Sequence, residues 1–292
     1  MKIAVTTDSG SGISQQEAKE LGITVISMPF SIDEKTYFED VNIAEDAFYE
    51  TLKPSATIHT SQPELYTIEE IWQELLKEYD AIVHIPLTSG LSSTCQSAIM
   101  LASDLNEERI QVVDNRKVSF SQKISVLQAL KLIDEGKTAS EIKELLEANR
   151  DDNTIYIGLE TLDFLKAGGR LTPAVAAIGS ILKIKPVLTI VEGGHLDTFT
   201  RARTKKGIKR EIIKALKHDA IEKFNDPEGE NCYFGVAYAG NREEGEVFAN
   251  EIAEAFPNRM DYPITVVPLS EIIVCHTGPH ILGASIMHKL NK

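Results

Sequence analysis

Hydroxyl side chains are concentrated in two short turns of this 292-residue sequence. The first turn, HTSQP, carries Thr60 and Ser61, and the second, SGLSST, carries Ser92 and Ser93. A hydroxyl donates a hydrogen bond to an anion without adding positive charge, and each turn precedes a predicted helix whose N-terminus attracts anions. Both turns are therefore candidates to bind a carboxylate or phosphate reversibly. The alternative is that these hydroxyls only cap the helices that follow.

Four basic side chains in the second half of the sequence could meet the same anion. Arg170 follows two glycines on a tight bend. Arg201 and Arg203 alternate near the end of a predicted strand, so they would share one face. His276 is expected directly after the last strand, where an imidazole can donate to an anion or carry a proton. Taken alone, such a histidine is more often structural.

The charge of the sequence is unevenly distributed. The net charge is −14 and the pI is about 5.0, which disfavours non-specific binding to nucleic acid or to an anionic membrane. Between Lys166 and Lys217, however, there are twelve Lys or Arg residues and three Asp or Glu residues. A basic segment in an acidic protein indicates a local anionic partner. The alternative is a solvated helix face or a subunit contact.

Neither a membrane segment nor a disulfide framework is predicted. Ala81–Ser103 lacks charged residues, but Pro86, Gly90 and several hydroxyls argue against a spanning helix. The first ten residues, MKIAVTTDSG, are expected to form a strand and not a signal peptide. The three cysteines show no CxxC spacing, and an odd number does not suit a disulfide scaffold, so a reduced, cytoplasmic location is expected.

The first half of the sequence alternates apolar strands with helices, which is typical of a parallel sheet with helices on both faces. The strands are expected at Lys2–Thr7, Thr24–Pro29, Ala81–Pro86, Ile110–Val113 and Thr154–Gly158. One face of a long helix is marked by Ile124, Leu127, Leu130 and Ile133. Asp8 and Ser9 follow the first strand, and ligands of such sheets gather beyond the carboxyl ends of strands. Both are therefore secondary site candidates, or else caps of the next helix.

The second half predicts a smaller α/β domain. The chain would then comprise an N-terminal domain of residues 1–155 and a C-terminal domain of residues 156–292. A hairpin is expected around Gly193 and Gly194, and a short apolar helix at Val175–Leu182. The last strand is expected at Ile272–Cys275, followed by an apolar tail helix that could pack back on the N-terminal domain.

Several of these motifs, taken in order, resemble the DegV family, whose characterised members are the fatty-acid-binding B subunits of bacterial fatty acid kinase. The resemblance runs from Lys2 to about Lys289, and the ordered set is specific although each motif is weak alone. The motifs are Thr6-Thr7-Asp8-Ser9, Thr60-Ser61-Gln62-Pro63, Ser89-Gly90-Leu91-Ser92-Ser93-Thr94, Gly168-Gly169-Arg170, Lys185-Pro186, Arg203-Thr204-Lys205-Lys206 and His276-Thr277-Gly278-Pro279.

The resemblance implies two α/β domains with a ligand between them. One long-chain fatty acid would lie with its tail in an apolar tunnel and its carboxylate on hydroxyl groups. The residues implied for the carboxylate are Thr60 and Ser92, with Ser61 and Ser93 beside them. The residues implied for the exposed end of the ligand, where they would support phosphoryl transfer by the partner kinase, are Arg170, Arg203 and His276. Arg201 and Gly278 are further secondary site candidates.

The resemblance also implies partners. A separate kinase catalytic subunit would phosphorylate the carboxylate with ATP, and an acyltransferase would accept the acyl phosphate for phospholipid synthesis. The chain itself would be a carrier and not an enzyme, with no cofactor or metal of its own. Ser93 and His280 stand where the family usually has glycine. Either departure could shift the ligand preference.

The sequence leaves two other classes of function open. It contains no Walker A loop, GxSxG elbow or HExxH motif. A stand-alone phosphoryl-transfer or hydrolytic enzyme acting on a small anionic metabolite could still use the same Arg and His side chains as catalysts. The third class is a sensor that binds a lipid and regulates a partner. For the tunnel lining, position alone suggests Leu91 and Ile99.

Overall fold

A computed structural model describes residues 1–53, 56–105, 108–170, 184–259 and 263–290. The chain divides into two compact units. The first unit comprises Met1–Arg150 with Ser270–Ile272, and the second comprises Asp151–Leu269 with Ile273–Lys292. The first unit thus includes a short segment from far along the chain, which a single division after residue 155 does not provide for.

A parallel sheet forms the centre of the first unit. The strands of this unit are β1 (Ile3–Asp8), β2 (Thr24–Ile26), β3 (Pro29–Ile32), β4 (Lys35–Phe38), β5 (Ile58–Thr60), β6 (Ala81–Ile85) and β7 (Ile110–Val112). Strands β2, β1, β6 and β7 lie side by side in that order and are all parallel. Both β1 and β6 are buried along their whole length, as expected for strands covered by helices on both faces. The predicted parallel sheet is confirmed.

The helices of the first unit in the described ranges are α1 (Gln15–Leu21), α2 (Glu45–Thr51), α3 (Leu65–Leu75), α4 (Thr94–Asp104), α5 (Phe120–Asp134) and α6 (Ala139–Ala148). Most of them cover the parallel sheet, whereas Phe48 of α2 packs against Phe30 of β3. Ile68 and Trp72 of α3 and Cys95 and Ala98 of α4 belong to one buried cluster with the sheet. The apolar residues of α3 recur at helical spacing, and it is this stripe that packs on the strands.

Helix α5 buries a polar face that the apolar spacing does not predict. Ile124 is buried, but the other three predicted core residues of this helix are only partly buried. The buried side instead includes Ser121, Gln122 and Ser125. Gln122 Nε2 lies 3.2 Å from the carbonyl oxygen of Ile85 at the end of β6, so this face meets hydrogen-bonding groups and not an apolar surface.

A three-stranded antiparallel sheet carries the first hydroxyl turn. Strands β3 and β4 form a hairpin whose turn residues, Asp33 and Glu34, have φ values of 49° and 68°. Two-residue hairpin turns of this kind require positive φ. Strand β3 also pairs with β5, where Phe30 lies opposite Thr60. The hairpin therefore fixes the strand that ends at Thr60.

A six-stranded, mostly antiparallel sheet forms the second unit. Its strands are β8 (Asn153–Gly158), β9 (Lys185–Ile190), β10 (Leu196–Ala202), β11 (Cys232–Tyr238), β12 (Thr265–Pro268) and β13 (Leu282–His288). Their order is β10-β9-β8-β13-β11-β12, and the β11–β12 pair is parallel. Strand β8, expected from the alternation as a further parallel strand, is antiparallel to both of its neighbours in this sheet.

Two long helices and two short ones accompany this sheet in the described ranges. They are α7 (Asp163–Ala167), α8 (Lys205–Glu222), α9 (Arg242–Ala255) and α10 (Glu271–Thr277). The long helices α8 and α9 pack on the strands through a cluster that includes Ile208, Ile212 and Phe248. The hairpin predicted around Gly193 and Gly194 is observed between β9 and β10.

The prediction for the C-terminal elements was wrong in two respects. Ile272–Cys275 is not a strand but lies inside helix α10. The predicted tail helix is instead β13, which runs between β8 and β11 and is buried on both faces. A short apolar run buried on both faces has no periodicity that separates strand from helix. The helix predicted at Val175–Leu182 lies outside the described residues.

None of the helices in the described ranges combines the length and the apolar content that crossing a bilayer requires. The three cysteines, Cys95, Cys232 and Cys275, are all buried, and no disulfide joins them. Burial raises the pKa of the Cys95 and Cys232 thiols, so neither is a reactive thiolate at neutral pH.

Candidate functional site

The structure brings the two hydroxyl turns together through Gln62. The Oε1 atom of Gln62 accepts hydrogen bonds from Ser93 Oγ at 3.1 Å and from Ser97 Oγ at 2.8 Å. Gln62 follows Ser61 in the first turn, and Ser93 lies at the start of helix α4 after the second. The amide thus joins two segments of the first unit whose hydroxyl side chains were predicted to share a ligand.

The first hydroxyl turn does not cap the helix that follows it. Glu64 occupies the N-cap position of α3, and no side-chain cap bond is made there. Thr60 and Ser61 therefore lie outside the cap, and neither takes the capping role that was the alternative to ligand binding. Thr60 is partly buried and Ser61 is exposed. The alternative that these hydroxyls only cap α3 is excluded.

In the second hydroxyl turn, Ser92 bonds the first residue of α4 but does not occupy the N-cap position, which is Ser93. Ser92 Oγ accepts from the Thr94 backbone N–H at 3.2 Å and lies 2.8 Å from Thr94 Oγ1. Either hydroxyl can be the donor in the second contact. When Thr94 donates, the proton of Ser92 is available to an outside anion. Ser93 makes no cap bond, because its hydroxyl donates to Gln62.

Asp8 supports the second turn from inside the protein. It is 1% exposed. Its Oδ2 accepts from the Leu87 N–H at 2.6 Å, and its Oδ1 accepts from the Gly10 N–H and from Gln122 Nε2, both at 3.0 Å. Leu87 begins the loop that leads to Ser92. Asp8 is therefore engaged inside the fold rather than open to a ligand.

Ser9, the other secondary candidate of the first unit, is also an internal support. It is 4% exposed, and its Oγ accepts from the Met28 N–H at 3.1 Å. Both residues follow β1, where the predicted sheet edge places ligands, but their side chains bond neighbouring loops. The sequence could not separate these two outcomes, because a loop-fixing and a ligand-binding Asp occupy the same position after a strand.

The environment of Asp8 determines its charge. Burial raises its pKa to about 6, against the opposing effect of the N–H donors from Leu87, Gln122 and Gly10. At neutral pH the carboxylate is still ionised. Gln122 also donates to Thr7 Oγ1 at 3.0 Å, so one amide links β1, the Asp8 carboxylate and the end of β6. Gln122 was not predicted as a site residue. The signal that could have found it is the group of polar residues on one side of α5, Ser121, Gln122 and Ser125.

In the second unit the structure brings Arg170 and His276 together. His276 lies in the last turn of α10. A Cβ added at Gly168 would come within 2.1 Å of His276 Nδ1, so only glycine allows the imidazole to pack on this turn. Arg170 Nη1 donates to the Gly168 carbonyl oxygen at 2.7 Å. The Gly168-Gly169-Arg170 motif thus places a guanidinium and an imidazole on one surface.

The imidazole of His276 is neutral at physiological pH. Burial, with a smaller contribution from the positive charge of Arg170, lowers its pKa to about 4. A neutral imidazole has one N–H donor and one acceptor nitrogen, and it adds no positive charge to the site. Permanent positive charge at this pair comes from arginine.

Gly278, a secondary candidate, is required by packing. Its φ is 80°, and an added Cβ would come within 2.6 Å of the Phe164 ring of α7. Helix α7 leads directly into the Gly168 turn, so this close approach helps to hold that turn against α10. Gly278 therefore shapes the Arg170–His276 pair.

Arg201 and Arg203 are both exposed, as expected for residues that share a face. Arg201 lies in β10 opposite Pro186 of β9. Arg203 immediately precedes Thr204, whose Oγ1 accepts from the Gly207 N–H at 3.0 Å and caps α8. The arginine thus stands at a helix N-terminus, where an anion is favoured.

A family model described as "Uncharacterised protein, DegV family" matches residues 2–289. The chain belongs to the DegV family. A DegV domain-containing protein of Caldanaerobacter subterraneus is 32% identical to it over 291 residues, and the match covers 99% of both chains.

Two solved structures resemble this DegV protein over nearly its whole length. One is described as fatty acid binding of a DegV family protein from Thermus thermophilus; it is 29% identical, with a TM-score of 0.87, and the match covers 99% of this chain and 100% of that one. The other, DegV, a fatty acid binding protein from Bacillus subtilis, is 29% identical, with a TM-score of 0.85 and the same coverage. The predicted family and the predicted mixed α/β fold are confirmed.

The two departures of this DegV protein from the family pattern have different surroundings. Ser93 donates to Gln62, so its extra side chain is used within the first unit. His280 is exposed and has a φ of 64°, a backbone conformation that glycine adopts without strain. Glycine, which the resemblance leads us to expect at this position, would adopt this backbone without strain.

Of the residues suggested for a tunnel, Leu91 is partly buried and Ile99 is 40% exposed. Ile99, Ile110 and Val112 line a cavity of about 230 Å³ at the β7 edge of the parallel sheet. Ligand pockets are typically about 300–1,000 Å³, so this cavity is small for a lipid. The tunnel lining stays a prediction. Within the described ranges, no three His, Cys, Asp or Glu side chains converge as metal ligands.

Proposed function

We propose that this DegV protein binds a long-chain fatty acid and presents its carboxylate to a separate ATP-dependent kinase. Thr60 and Ser92 would hold the carboxylate, with Ser61 and Ser93 beside them. The observation that carries the proposal is the Gln62 bridge, which puts the two hydroxyl turns at one place in the first unit. The fatty acid binding described for the Thermus thermophilus and Bacillus subtilis relatives supports the choice of ligand.

The physical chemistry of a fatty acid suits such a site. Each buried CH₂ contributes about 0.8 kcal/mol, so a dozen methylenes would give roughly 10 kcal/mol before the ordering costs. The tail would therefore supply most of the affinity. A carboxylate taken out of water needs several hydrogen bonds, and hydroxyl donors supply them without a fixed counter-ion. The head group would then set the register of the chain while binding stays reversible.

Arg170, Arg203 and His276 would act when phosphate is transferred. A carboxylate oxygen attacks the γ-phosphorus of ATP held by the kinase, the bond from that phosphorus to ADP breaks, and an acyl phosphate forms. The head group gains negative charge in this step. Guanidinium groups suit the added phosphoryl oxygens, because they are always charged and donate in pairs. An acyltransferase would then consume the acyl phosphate.

The direct test of binding is to identify what the purified protein carries. The protein is denatured, extracted with organic solvent, and the extract is analysed by mass spectrometry. We expect a stoichiometric long-chain fatty acid. A protein that carries no fatty acid, and that turns over a phosphate ester without any partner, would instead support a stand-alone enzyme for a small anionic metabolite.

Thr60→Val tests the hydroxyl part of the proposal. Valine keeps the shape of the side chain and removes one hydrogen-bond donor, so we expect retention of the fatty acid to weaken by about tenfold. The matched control is Thr57→Val, which alters an exposed threonine of the same segment. Equal retention by both variants would contradict the assigned role of Thr60.

Arg203→Ala tests the transfer part. We expect the variant to retain fatty acid fully and to lose most acyl phosphate formation with the kinase. Arg242→Ala is the control, because Arg242 is an exposed arginine of the same unit that pairs with Glu246 on helix α9. Loss of fatty acid from Arg203→Ala would place this arginine at the binding step instead.

A further inference from the structure

Helix α8 carries a line of basic residues along its outer face. Lys206, Arg210, Lys214 and Lys217 follow one another at spacings of four, four and three residues, and all are exposed. On an α-helix these spacings confine the four side chains to an arc of about 80° and a length of about 16 Å. We call this line the basic stripe.

The other faces of α8 are already occupied. Ile208 and Ile212 lie in the core of the second unit. Lys205 pairs with Glu244 at 2.9 Å, and Lys209 pairs with Glu251 at 2.9 Å, so the flank that faces α9 is neutralised within the unit. The basic stripe lies on the side of the helix away from both sets of contacts.

The positive charge of the stripe is mostly uncompensated. Arg210 pairs with Glu211 at 3.0 Å. Lys206, Lys214 and Lys217 have no ion pair with any residue that the structure describes. Like charges four residues apart destabilise a helix by about 0.2–0.5 kcal/mol per pair, so the stripe does not stabilise α8. A surface that costs the helix stability, in a protein of net charge −14, is better suited to binding an outside group.

We propose that the basic stripe is the docking surface for an acidic face of the phosphorylating partner. This inference rests on the proposed function. The stripe begins two residues after the helix cap Thr204, which Arg203 directly precedes, so a partner aligned along it would end at the arginine assigned to transfer. Charge complementarity along a line fits an acidic helix or extended segment of a protein.

A membrane surface fits the same observations less well. An anionic bilayer presents charge as a plane, whereas the stripe is a single line on one helix. The net charge of −14 would also repel such a surface outside the immediate contact. An acidic protein segment needs to approach only the stripe.

The test compares two double charge reversals in the full-length protein. Lys206→Glu/Lys214→Glu alters the stripe, and Lys19→Glu/Lys53→Glu alters two exposed lysines of the first unit. Each variant changes the net charge by the same amount. The partner is the purified catalytic subunit of fatty acid kinase from the source organism. We measure its Kd by titration, the KM and kcat of acyl phosphate formation, and the retained fatty acid.

We expect the stripe variant to raise Kd and KM for the kinase subunit by about tenfold, with kcat changed less than about twofold and fatty acid retention unchanged. The control variant should match the unaltered protein in every measurement. Raising the ionic strength should weaken kinase binding by the unaltered protein more than by the stripe variant. Lys206→Gln/Lys214→Gln should give an intermediate Kd, and circular dichroism melting checks that each variant is folded.

Equal Kd and KM for the two charge-reversal variants would overturn the proposal. So would stripe-dependent binding to vesicles containing phosphatidylglycerol with none to the kinase subunit, because that result would assign the stripe to a membrane. Failure of the proposed function would give a different result in the same experiment. If the kinase subunit binds the stripe but no acyl phosphate forms, docking stands and the transfer role is wrong.

Discussion

Polar side chains in the first unit bond to one another. Gln62 accepts from two serine hydroxyls, and the Asp8 carboxylate receives three N–H donors, one of them from Gln122. These bonds connect segments that follow β5 of the antiparallel sheet and β1 and β6 of the parallel sheet. A ligand at the hydroxyl turns would therefore meet donors that are already held in place.

The basic side chains of the second unit are arranged differently. Arg201 and Arg203 are exposed, and Arg170, also exposed, donates to a carbonyl of its own turn. The one tightly packed member is His276, which Gly168 seats against that turn. The positive charge of these three arginines stays in water, while the neutral imidazole is partly buried.

If the protein acts as proposed, its two units divide the work between holding the head group and supporting phosphate transfer. Fixed neutral donors bind an anion without having to reorganise, so they suit a head group that is held for a long time. Solvated arginines bind a resting carboxylate weakly, because water screens their charge. In the proposed transfer they would become useful when a phosphoryl group adds charge to the head group. Each unit would then supply the side-chain chemistry that its proposed task requires.

The largest expected effect comes from disrupting the hydrogen bonds that the Asp8 carboxylate accepts in the first unit. Asp8→Asn puts an NH₂ group where a carboxylate oxygen accepts from N–H donors, so at least one buried donor faces another donor. We expect a loss of about 2–4 kcal/mol in the free energy of unfolding, measured by urea denaturation at pH 7. Asp33→Asn is the control, because its carboxylate accepts from Thr57 N–H at an exposed turn. Equal losses in both variants would remove Asp8 as a support.

The next largest effect is expected from disturbing the packing of His276 against Gly168 in the second unit. Gly168 has a φ of −79°, so alanine fits its backbone, but the added methyl would collide with the His276 ring. We expect Gly168→Ala to cost about 1–3 kcal/mol and to reduce acyl phosphate formation without loss of fatty acid. The double variant Gly168→Ala/His276→Ala should recover most of the stability. Additive losses in this cycle would mean that the two residues do not interact.

Much of the fold could be predicted from the sequence, because its signals are local. The alternation of apolar strands and helices predicted the parallel sheet, and Gly193-Gly194 predicted the hairpin. The second hydroxyl turn was predicted to follow a strand, and it follows β6, whereas the short strand β5 before the first turn was not predicted. The types of the C-terminal elements α10 and β13 were mispredicted, because a short, buried apolar segment has no periodicity that separates helix from strand.

The connections within the site could not be predicted in the same way. Gln62 meets Ser93 across 31 positions of sequence, and Gln122 meets Asp8 across 114. Glutamine is ordinarily exposed, whether in a turn like Gln62 or on a helix like Gln122, so nothing in the spacing marks either residue as a link. The packing of His276 against Gly168 likewise depends on a residue that lacks a side chain and lies far away in the sequence. These contacts belong to tertiary packing.

Glu271 differs from the hydrogen-bonded polar side chains of the first unit. It is a buried acid whose Oε2 has no partner among the described residues. Burial raises its pKa to about 8, and the charges of Asp40 and Glu45 add to the shift. Nearby Glu39 has a pKa raised well above the usual range, chiefly by burial and then by the charge of Glu271. A carboxyl with a raised pKa contributes stability below its unfolded pKa and loses it as pH rises.

We therefore expect Glu271→Gln to gain about 1 kcal/mol over the unaltered protein at pH 8, since glutamine has no proton to lose. This gain corresponds to a Tm rise of roughly 2–4 °C for a protein of this size. The gain should shrink as pH falls and vanish below about pH 3.5, where Glu271 is protonated in both the folded and the unfolded state. Thermal melts across that range measure it, with the exposed Glu50→Gln as control. A gain that is the same at every pH would contradict proton loss from Glu271 as its cause.

The smallest expected effect concerns the hydroxyls of Ser93 and Ser97. It tests whether a hydroxyl only supports Gln62 or also binds the ligand. Ser93 and Ser97 donate to the same oxygen of Gln62, but only Ser93 is a predicted carboxylate ligand. Each change to alanine removes one hydrogen bond near the surface, so each should cost about 0.5 kcal/mol or somewhat more in urea denaturation. Stability should therefore not distinguish the two variants.

Fatty acid retention should distinguish them. If Ser93 contacts the carboxylate, Ser93→Ala retains less fatty acid than Ser97→Ala, by a smaller factor than Thr60→Val, because Ser93 shares its single proton with Gln62. Equal retention would assign both serines to the support of Gln62 and leave Thr60 and Ser92 as the direct donors. Greater loss from Ser97→Ala would mean that the position of Gln62, and not the Ser93 hydroxyl, controls the head group. In that case the Gln62 side chain itself becomes a candidate donor to the carboxylate through its amide nitrogen.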